Sequence, residues 1–273
     1  MRDHDCVAFL QASLPRLGLR WAGYRKVRRT VCKRISRRIR ELNLPDLAAY
    51  QAHLAANAVE WQRLEGYCRI PISRFWRDRA VFDWLAATAF PACAAKAAVQ
   101  QTPVVRCWSA GCASGKEAYS LRLAWAMHTE AGWPSVRIEI LATDADATMV
   151  GRATTGRYST GSVRELTPEQ RERAFDRDGE TFVLRADLKH GVTVLQQDLR
   201  NARPDGPFDF ILCRNTAFTY FDTNGQREIL HQLTRRLAPD GVLVIGGHER
   251  LPNDETGFVR VAVGLPVFRR VPT

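Results

Sequence analysis

The sequence predicts an α/β protein: an all-helical N-terminal domain, then a Rossmann-like sheet with a small β insertion. Three observations carry this expectation. The first hundred residues repeat apolar side chains at helical spacing. From residue 103 short strands alternate with helices. The chain is also long and apolar enough, at 273 residues and 45% hydrophobic, to bury one large domain and a smaller one. Strands alternating with helices imply a parallel sheet covered on both faces. The expected division is a helical domain at 1–70 and the sheet domain at 71–273.

Within Arg25–Arg40, Val27, Val31, Ile35 and Ile39 recur every fourth residue. That is one apolar stripe on an amphipathic helix. The same segment holds nine Lys or Arg and no acid. Further helices fit Leu47–Ala56 and Val59–Cys68. Another runs from Asp78 through Phe82, Trp84 and Leu85 until Pro91 ends or kinks it. The first strand is Val104–Trp108, closed by a small-residue turn, Ser109–Gly115, and a helix through Tyr119, Leu121, Leu123 and Trp125. Arg137–Thr143 is the second strand. Thr181–Leu184 and Val192–Gln196 break the alternation and read as a β insertion at about 178–197. Phe208–Cys213 is another core strand. A helix from Asn224 to Leu237, a Pro239-Asp240-Gly241 turn and the strand Val242–Ile245 follow. Val259–Val263 and Pro266–Val271 form a closing hairpin around Gly264.

Composition narrows the function. No apolar run reaches the roughly 18 residues a membrane span needs. Met1–Asp5 carries two acids and does not read as a signal peptide. The seven cysteines are scattered without a Cys-x-x-Cys pair, so no metal site is expected and reduced thiols in a cytoplasmic protein are. The net charge is +11, with its excess concentrated in 25–40. One basic element suggests docking of an acidic partner, whereas a basic surface throughout would suggest nucleic acid.

Ligands of open α/β sheets bind beyond the carboxyl ends of the strands. Three such ends carry candidates. After the first strand, Ala110 and Gly111 open a turn that lets a ligand approach the backbone. Gly115-Lys116 resembles the end of a phosphate loop, but Ala110 replaces its first glycine and Glu117 its magnesium-binding hydroxyl. An acid there opposes a triphosphate and suits the ammonium of S-adenosylmethionine. Asp144, ending the second strand with Ala145 beside it, is placed to accept hydrogen bonds from ribose hydroxyls. Asp146 caps the next helix. The third end, Cys213-Arg214-Asn215, is unusual for a core strand; Cys213 alone could be a buried small residue.

These residues, in this order, resemble the CheR-type chemotaxis-receptor methyltransferases, which are protein-glutamate O-methyltransferases. Tyr24–Leu42 is similar to that family's basic second helix, and Trp61–Leu64 to its Glu-Trp-x-x-Leu. Ile72–Asp78 is similar to Thr-x-Phe-Phe-Arg, and Trp108–Ser120 to Trp-Ser-Ala-x-Cys-Ser-Thr-Gly-Glu-Glu-Pro-Tyr-Ser. Ala142–Asp146, Gly156-Arg157-Tyr158, Gly206–Asn215 and Gly246–Glu249 also match. The resemblance implies a class I methyltransferase sheet. It implies that Ser73 and Arg77 reach the cofactor and methyl-transfer cavity, and that Glu117 and Asp144 hold the methionine end and the ribose. Asp198 and Leu199 would lie near the adenine, with Cys213, Arg214 and Asn215 lining the cofactor. Arg77, Arg214 and Tyr220 would be the catalytic residues, Tyr220 replacing the family's active-site tyrosine. In some members the β insertion docks a receptor tail peptide.

Four departures stand out. Lys116 replaces the first acid of Gly-Glu-Glu-Pro, and Ala118 the proline. The stretch Cys213–Phe221 is one residue longer than Cys-Arg-Asn-Val-x-Ile-Tyr-Phe. Gly-His-Ser-Glu becomes Gly247-His248-Glu249. The departures cluster on the substrate side. They leave open a methyltransferase acting on a small molecule or a non-chemotaxis protein, and a non-catalytic S-adenosylmethionine-binding regulator. Nucleic-acid methylation lacks its Asn/Asp-Pro-Pro-Phe/Tyr signature here.

Overall fold

A computed structural model describes residues 2–201, 204–252 and 257–271. The chain divides into two compact units, Met1–Ile70 with Thr219–Gln226, and Pro71–Phe218 with Arg227–Thr273.

The first unit contains α1 (Asp3–Ser13), α2 (Trp21–Tyr24), α3 (Arg28–Glu41), α4 (Leu47–Ala56) and α5 (Ala58–Cys68). The stripe on α3 does what its spacing dictates: Val31, Ile35 and Ile39 are buried, with Phe9, Leu10, Tyr24, Tyr50 and Leu64 in the same core. Asp46 accepts from the Ala49 amide at 2.9 Å and starts α4, and Asn57 does the same for α5 through Val59 at 3.1 Å. The basic residues of the 25–40 segment split into two sets. Arg28 pairs with Asp3 (3.0 Å), Arg34 donates to the carbonyls of Tyr67 (2.7 Å) and Arg69 (2.6 Å), and Arg38 pairs with Glu60 (2.9 Å). Arg25, Lys26, Arg29, Lys33, Arg37 and Arg40 are exposed.

The thiols correct the sequence expectation. Cys6 and Cys32 form a disulfide joining α1 to α3, with Cα atoms 6.1 Å apart. Spacing along the chain cannot reveal this pair, because helix packing creates the proximity. The other five cysteines are free.

The second unit begins with α6 (Arg79–Trp84), a π turn (Leu85–Ala89) and α7 (Phe90–Ala97). Pro91 therefore does not end the helix. It sits in the first turn of α7, where a missing N–H is tolerated, and the π turn takes up the register. There follow β1 (Val104–Ala110), α8 (Lys116–His128), β2 (Arg137–Asp144), α9 (Ala147–Thr155), β3 (Arg157–Tyr158), α10 (Pro168–Ala174), β4 (Phe175–Asp178), β5 (Thr181–Leu184), α11 (Ala186–Lys189) and β6 (Val192–Gln196). The chain continues with β7 (Phe208–Cys213), α12 (Ala217–Tyr220), α13 (Thr223–Thr234), β8 (Leu237–Ile245), β9 (Phe258–Arg260) and β10 (Val267–Arg270).

Seven strands form one sheet in the order β6-β2-β1-β7-β8-β10-β9. Strands β6 to β8 are parallel; β10 runs antiparallel to β8 and to β9. The order reverses between β1 and β7, the switch point where such sheets bind ligands. The β insertion is also corrected. Val192–Gln196 is not part of it but is the edge strand of the main sheet, with Val192 opposite Ile140. The small sheet is β3-β5-β4, within 157–184. A short alternating strand does not state its partner, which is why the sequence grouped 181–184 with 192–196. The expected Pro239-Asp240-Gly241 turn is an irregularity inside β8. Phe208 faces Leu237 and Phe210 faces Val242, and Asp240 takes φ +63°.

Ile138, Ile140 and Ala142 of β2 are buried in the main core, while Arg137 and Glu139 on the other face are exposed. The connection 197–207 has no helix among its described residues to cover that face. A groove of about 880 Å³ lies there, lined by Arg106, Arg137, Glu139, Leu141, Thr193 and Leu195 among others; none of the expected site residues lines it. Among the described residues no helix is long and apolar enough to cross a membrane, and no cluster of side chains could hold a metal ion.

Candidate functional site

The loop after β1 needs unusual backbone. Gly111, Ala113 and Gly115 take φ of +85°, +47° and +78°. A Cβ on Gly111 would lie 2.7 Å from Thr216 Oγ1, and one on Gly115 would lie 2.8 Å from Ala153 Cβ, so both positions need glycine. Ala110 ends β1 and does not belong to the turn. The amides of Gly111 and Cys112 donate to the Thr143 carbonyl (2.8 and 2.9 Å). Asp144 ties the two strand ends together: Oδ2 accepts from the Ala113 amide (2.8 Å) and Oδ1 from the Asp146 amide (2.9 Å). Asp146 caps α9 through Thr148 (2.8 Å). Ala145 accepts from Gln196 Nε2 (3.4 Å).

Around Glu117, on the first turn of α8, the structure assembles four of the elements flanking the switch point. Ser109 Oγ donates to Glu117 Oε1 (2.7 Å), and Arg214 Nη1 donates to Oε2 (2.9 Å). The Arg214 side chain is only 3% exposed, and its Nη2 reaches Asp78 Oδ2 (2.6 Å) and the Arg77 carbonyl (2.8 Å). Its guanidinium lies over Phe82, 5.4 Å from the ring centroid. Burial pushes the Glu117 carboxyl above the ordinary range, against the pull of Arg214 and the Ser109 hydrogen bond. The segment supplying Arg77 is held in an uncommon shape, with Trp76 at φ +52° and Asp78 at +60°. Trp76 fastens it, its amide donating to Ser120 Oγ (3.0 Å) and its indole to Asp83 (2.9 Å). The Arg77 Nη1 donates to the Ile72 carbonyl (2.9 Å), and Ser73 is half-buried in the loop before it.

Lys116 and Glu117 go to different partners. Lys116 Nζ donates to Ser114 Oγ (2.8 Å) and lies 5.6 Å from the centre of the Tyr158 ring. Burial, with Arg152 nearby, lowers its pKa. The substitution thus leaves the Glu117–Arg214 pair intact.

At the third strand end Cys213 is fully buried, and burial, reinforced by Glu249, pushes its thiol well up. It packs as a neutral apolar residue. Asn215 takes φ +54°, and its amide donates to Glu249 Oε2 (2.8 Å). Glu249, 8% exposed, is the residue that sequence reasoning missed as a site candidate. Its motif was read as a family match with a departure in spacing and given no role; an acid in a glycine turn after a core strand was the available signal. Asp198 is occupied by Arg200, accepting from its amide (2.9 Å) and its Nη2 (2.6 Å), and Leu199 beside it is buried. Tyr220 is grouped with other elements. It falls within the first unit, its ring 5.0 Å from that of Tyr24 and its carbonyl accepting from the Arg20 amide (2.8 Å).

An acid and a guanidinium held side by side match an amino-acid zwitterion, the acid to an ammonium and the guanidinium to a carboxylate. Arg214 Nε is buried and has no partner among the described residues. The buried acid excludes a polyphosphate. The donor set fits the methionine end of S-adenosylmethionine.

Comparison with known proteins gives the same answer. The model of the "CheR methyltransferase, SAM binding domain" matches residues 72–264, and that of the "CheR methyltransferase, all-alpha domain" matches 25–65. The chain is 32% identical to a chemotaxis protein methyltransferase of Escherichia coli over 236 residues, 84% of this chain and 78% of that one. It is 31% identical to another from Listeria monocytogenes over 201 residues, 74% and 73% of the two chains. A 104.1 kDa uncharacterised protein of Rhodobacter capsulatus is 30% identical over 231 residues, 84% of this chain but 24% of that one. The chain spans about a quarter of that relative and about three quarters of the other two. A strand order reversing beside a buried acid–guanidinium pair, and two family models that match in succession, have one explanation: this chain belongs to the CheR methyltransferase family, the S-adenosylmethionine-dependent methyltransferases of that type.

Proposed function

We propose that the chain methylates glutamate carboxylates of an acidic protein partner in the cytoplasm, such as the cytoplasmic part of a chemotaxis receptor. The observation that carries this is the pairing of Glu117 with Arg214 beside the Arg77 segment. In this reading Glu117 and Arg214 take the ammonium and carboxylate of the methionine, and Asp144 and Ala145 lie along the ribose. Ala110 and Gly111 let the backbone approach it. Asn215 lines the cofactor just beyond the buried Cys213, Asp198 and Leu199 its adenine, and Ser73 lies at the cavity. When bound, the cofactor supplies a methyl group on a sulfonium. A glutamate carboxylate is already ionised near neutral pH, with a reference pKa of about 4.3, so no general base is required. The chain's contribution is alignment, which can supply roughly 7–11 kcal/mol. Arg77 orients the acceptor carboxylate through its planar fork, and Tyr220 takes the place of the family's active-site tyrosine.

The exposed cations of α3 support an acidic partner, and the names of the Escherichia coli and Listeria monocytogenes relatives support a chemotaxis protein. A second reading, a different protein or a small molecule as acceptor, draws on the longer Cys213–Phe221 stretch and on Tyr220 grouping with the first unit. Incubation with methyl-labelled S-adenosylmethionine and receptor cytoplasmic fragments separates the two. Base-labile label on the fragment is expected. Label that resists base, or that appears only on small molecules, would sink the glutamate assignment.

A further inference from the structure

The ends of β7 and β8 lie side by side, with Cys213 opposite Ile245. Just beyond them two main-chain N–H groups, of Asn215 and Gly246, leave the ladder. One atom receives both: Glu249 Oε2 accepts from Asn215 at 2.8 Å and from Gly246 at 2.6 Å. The acid reaches back because the turn it ends is closed by its own amide, which donates to the Gly246 carbonyl at 2.9 Å. Without that acceptor one buried and one part-buried donor would be left to find others. The clamp also fixes shape. Asn215 is left-handed, a conformation Asn tolerates and other side chains resist. Its amide lies against Gly246, where an added Cβ would be 2.5 Å from Asn215 Nδ2 and 2.7 Å from Glu249 Oε2. Asn215, Gly246 and Glu249 therefore interlock, and none can shift alone.

We propose that Glu249 is a positioning residue of the cofactor site, holding Asn215 in its left-handed conformation so that its side chain is presented to S-adenosylmethionine. This rests on Asn215 being a cofactor contact. The test is isothermal titration of the full chain with S-adenosylhomocysteine, with thermal melting measured alongside. Glu249→Ala is expected to weaken binding on the order of tenfold, the scale of releasing one strained backbone. Glu249→Gln keeps an oxygen that can accept both N–H bonds and is expected to stay within about threefold of wild type. Asn215→Ala should weaken binding too, and the Glu249→Ala/Asn215→Ala pair should be no worse than Asn215→Ala alone. Glu249→Ala that melts earlier but binds with wild-type affinity, or effects that add in the pair, would overturn the proposal. Asn215→Ala with intact affinity would overturn it while leaving the methyltransferase reading standing. A wild-type chain that takes no cofactor would overturn both.

Discussion

Glu117 and Arg214 each make the other's burial tolerable. A lone buried carboxylate would cost several kcal/mol, and so would a lone guanidinium. Burial still dominates at Glu117 and raises its pKa above the reference 4.5. For an acid with a raised folded-state pKa, stability from its protonation is present below the unfolded value and lost as pH rises through the folded one. Binding a cationic ammonium has the opposite requirement, because it needs the charged form. Affinity for S-adenosylmethionine should therefore fall as pH drops through a titration displaced above the ordinary carboxylate range. Glu117→Gln should abolish that limb and weaken binding roughly ten- to hundredfold at neutral pH, as titration across pH would show. Arg77 tests the other half of the site. Arg77→Ala is expected to lose about a hundredfold in methyl transfer while keeping most cofactor affinity, because a small misplacement of the acceptor is enough. Comparing turnover with a binding isotherm checks it; full activity in the variant would remove Arg77 from its assigned role. Glu117, Asp144 and Arg214 were legible because a strand end or a helix start makes a polar residue conspicuous. Glu249 was not, because its role comes from a side chain folding back across a turn, which residue order does not encode.

At the scale of elements, α3 shows how far periodicity goes. Its stripe fixed which residues are buried, but not that Arg28, Arg34 and Arg38 are spent inside the unit. Glu60, 2% exposed, accepts from Arg38 and from Tyr50 Oη (3.1 Å). Burial alone would raise its pKa, but the Arg38 and Tyr50 hydrogen bonds outweigh it and the net shift is downward. A depressed acid gives stability above its unfolded pKa and loses it as pH falls through the folded value. The helical unit should therefore weaken in acid below the reference 4.5. Glu60→Ala should cost about 3 kcal/mol by leaving Arg38 with an unmet charge, a loss readable in chemical denaturation at neutral pH and expected to shrink in acid. A variant as stable as wild type would show that the pair contributes nothing. Two of the elements misread from sequence share one cause. Val192–Gln196 and the 239–241 stretch were assigned from local residue preferences, and in each the deciding partner is distant in the chain: β2 and β7.

For the whole molecule, a net charge of +11 is carried unevenly. Six exposed cations between Arg25 and Arg40 give the helical unit a face whose attraction to an acidic partner should be screened by salt. Raising ionic strength should raise KM for the protein acceptor and leave cofactor affinity little changed. Lys33→Glu with Arg37→Glu should reproduce that effect at low salt, and steady-state kinetics would show it. If KM ignores both changes, the docking face lies elsewhere. The change in periodicity lies near residue 103, well past Ile70 where the long segment of the first unit ends, and residue order gives no sign that Thr219–Gln226 returns to that unit. The disulfide between Cys6 and Cys32 has a consequence for the unfolded chain. Tying residues 26 apart in sequence removes conformational freedom from that ensemble, worth about 3.5 kcal/mol by loop-closure entropy. Reduction would return that freedom, so the concentration of reducing thiols around the protein would set how readily α1 parts from the basic helix. That sensitivity would be written in two residues, neither of which is among those expected to meet the cofactor.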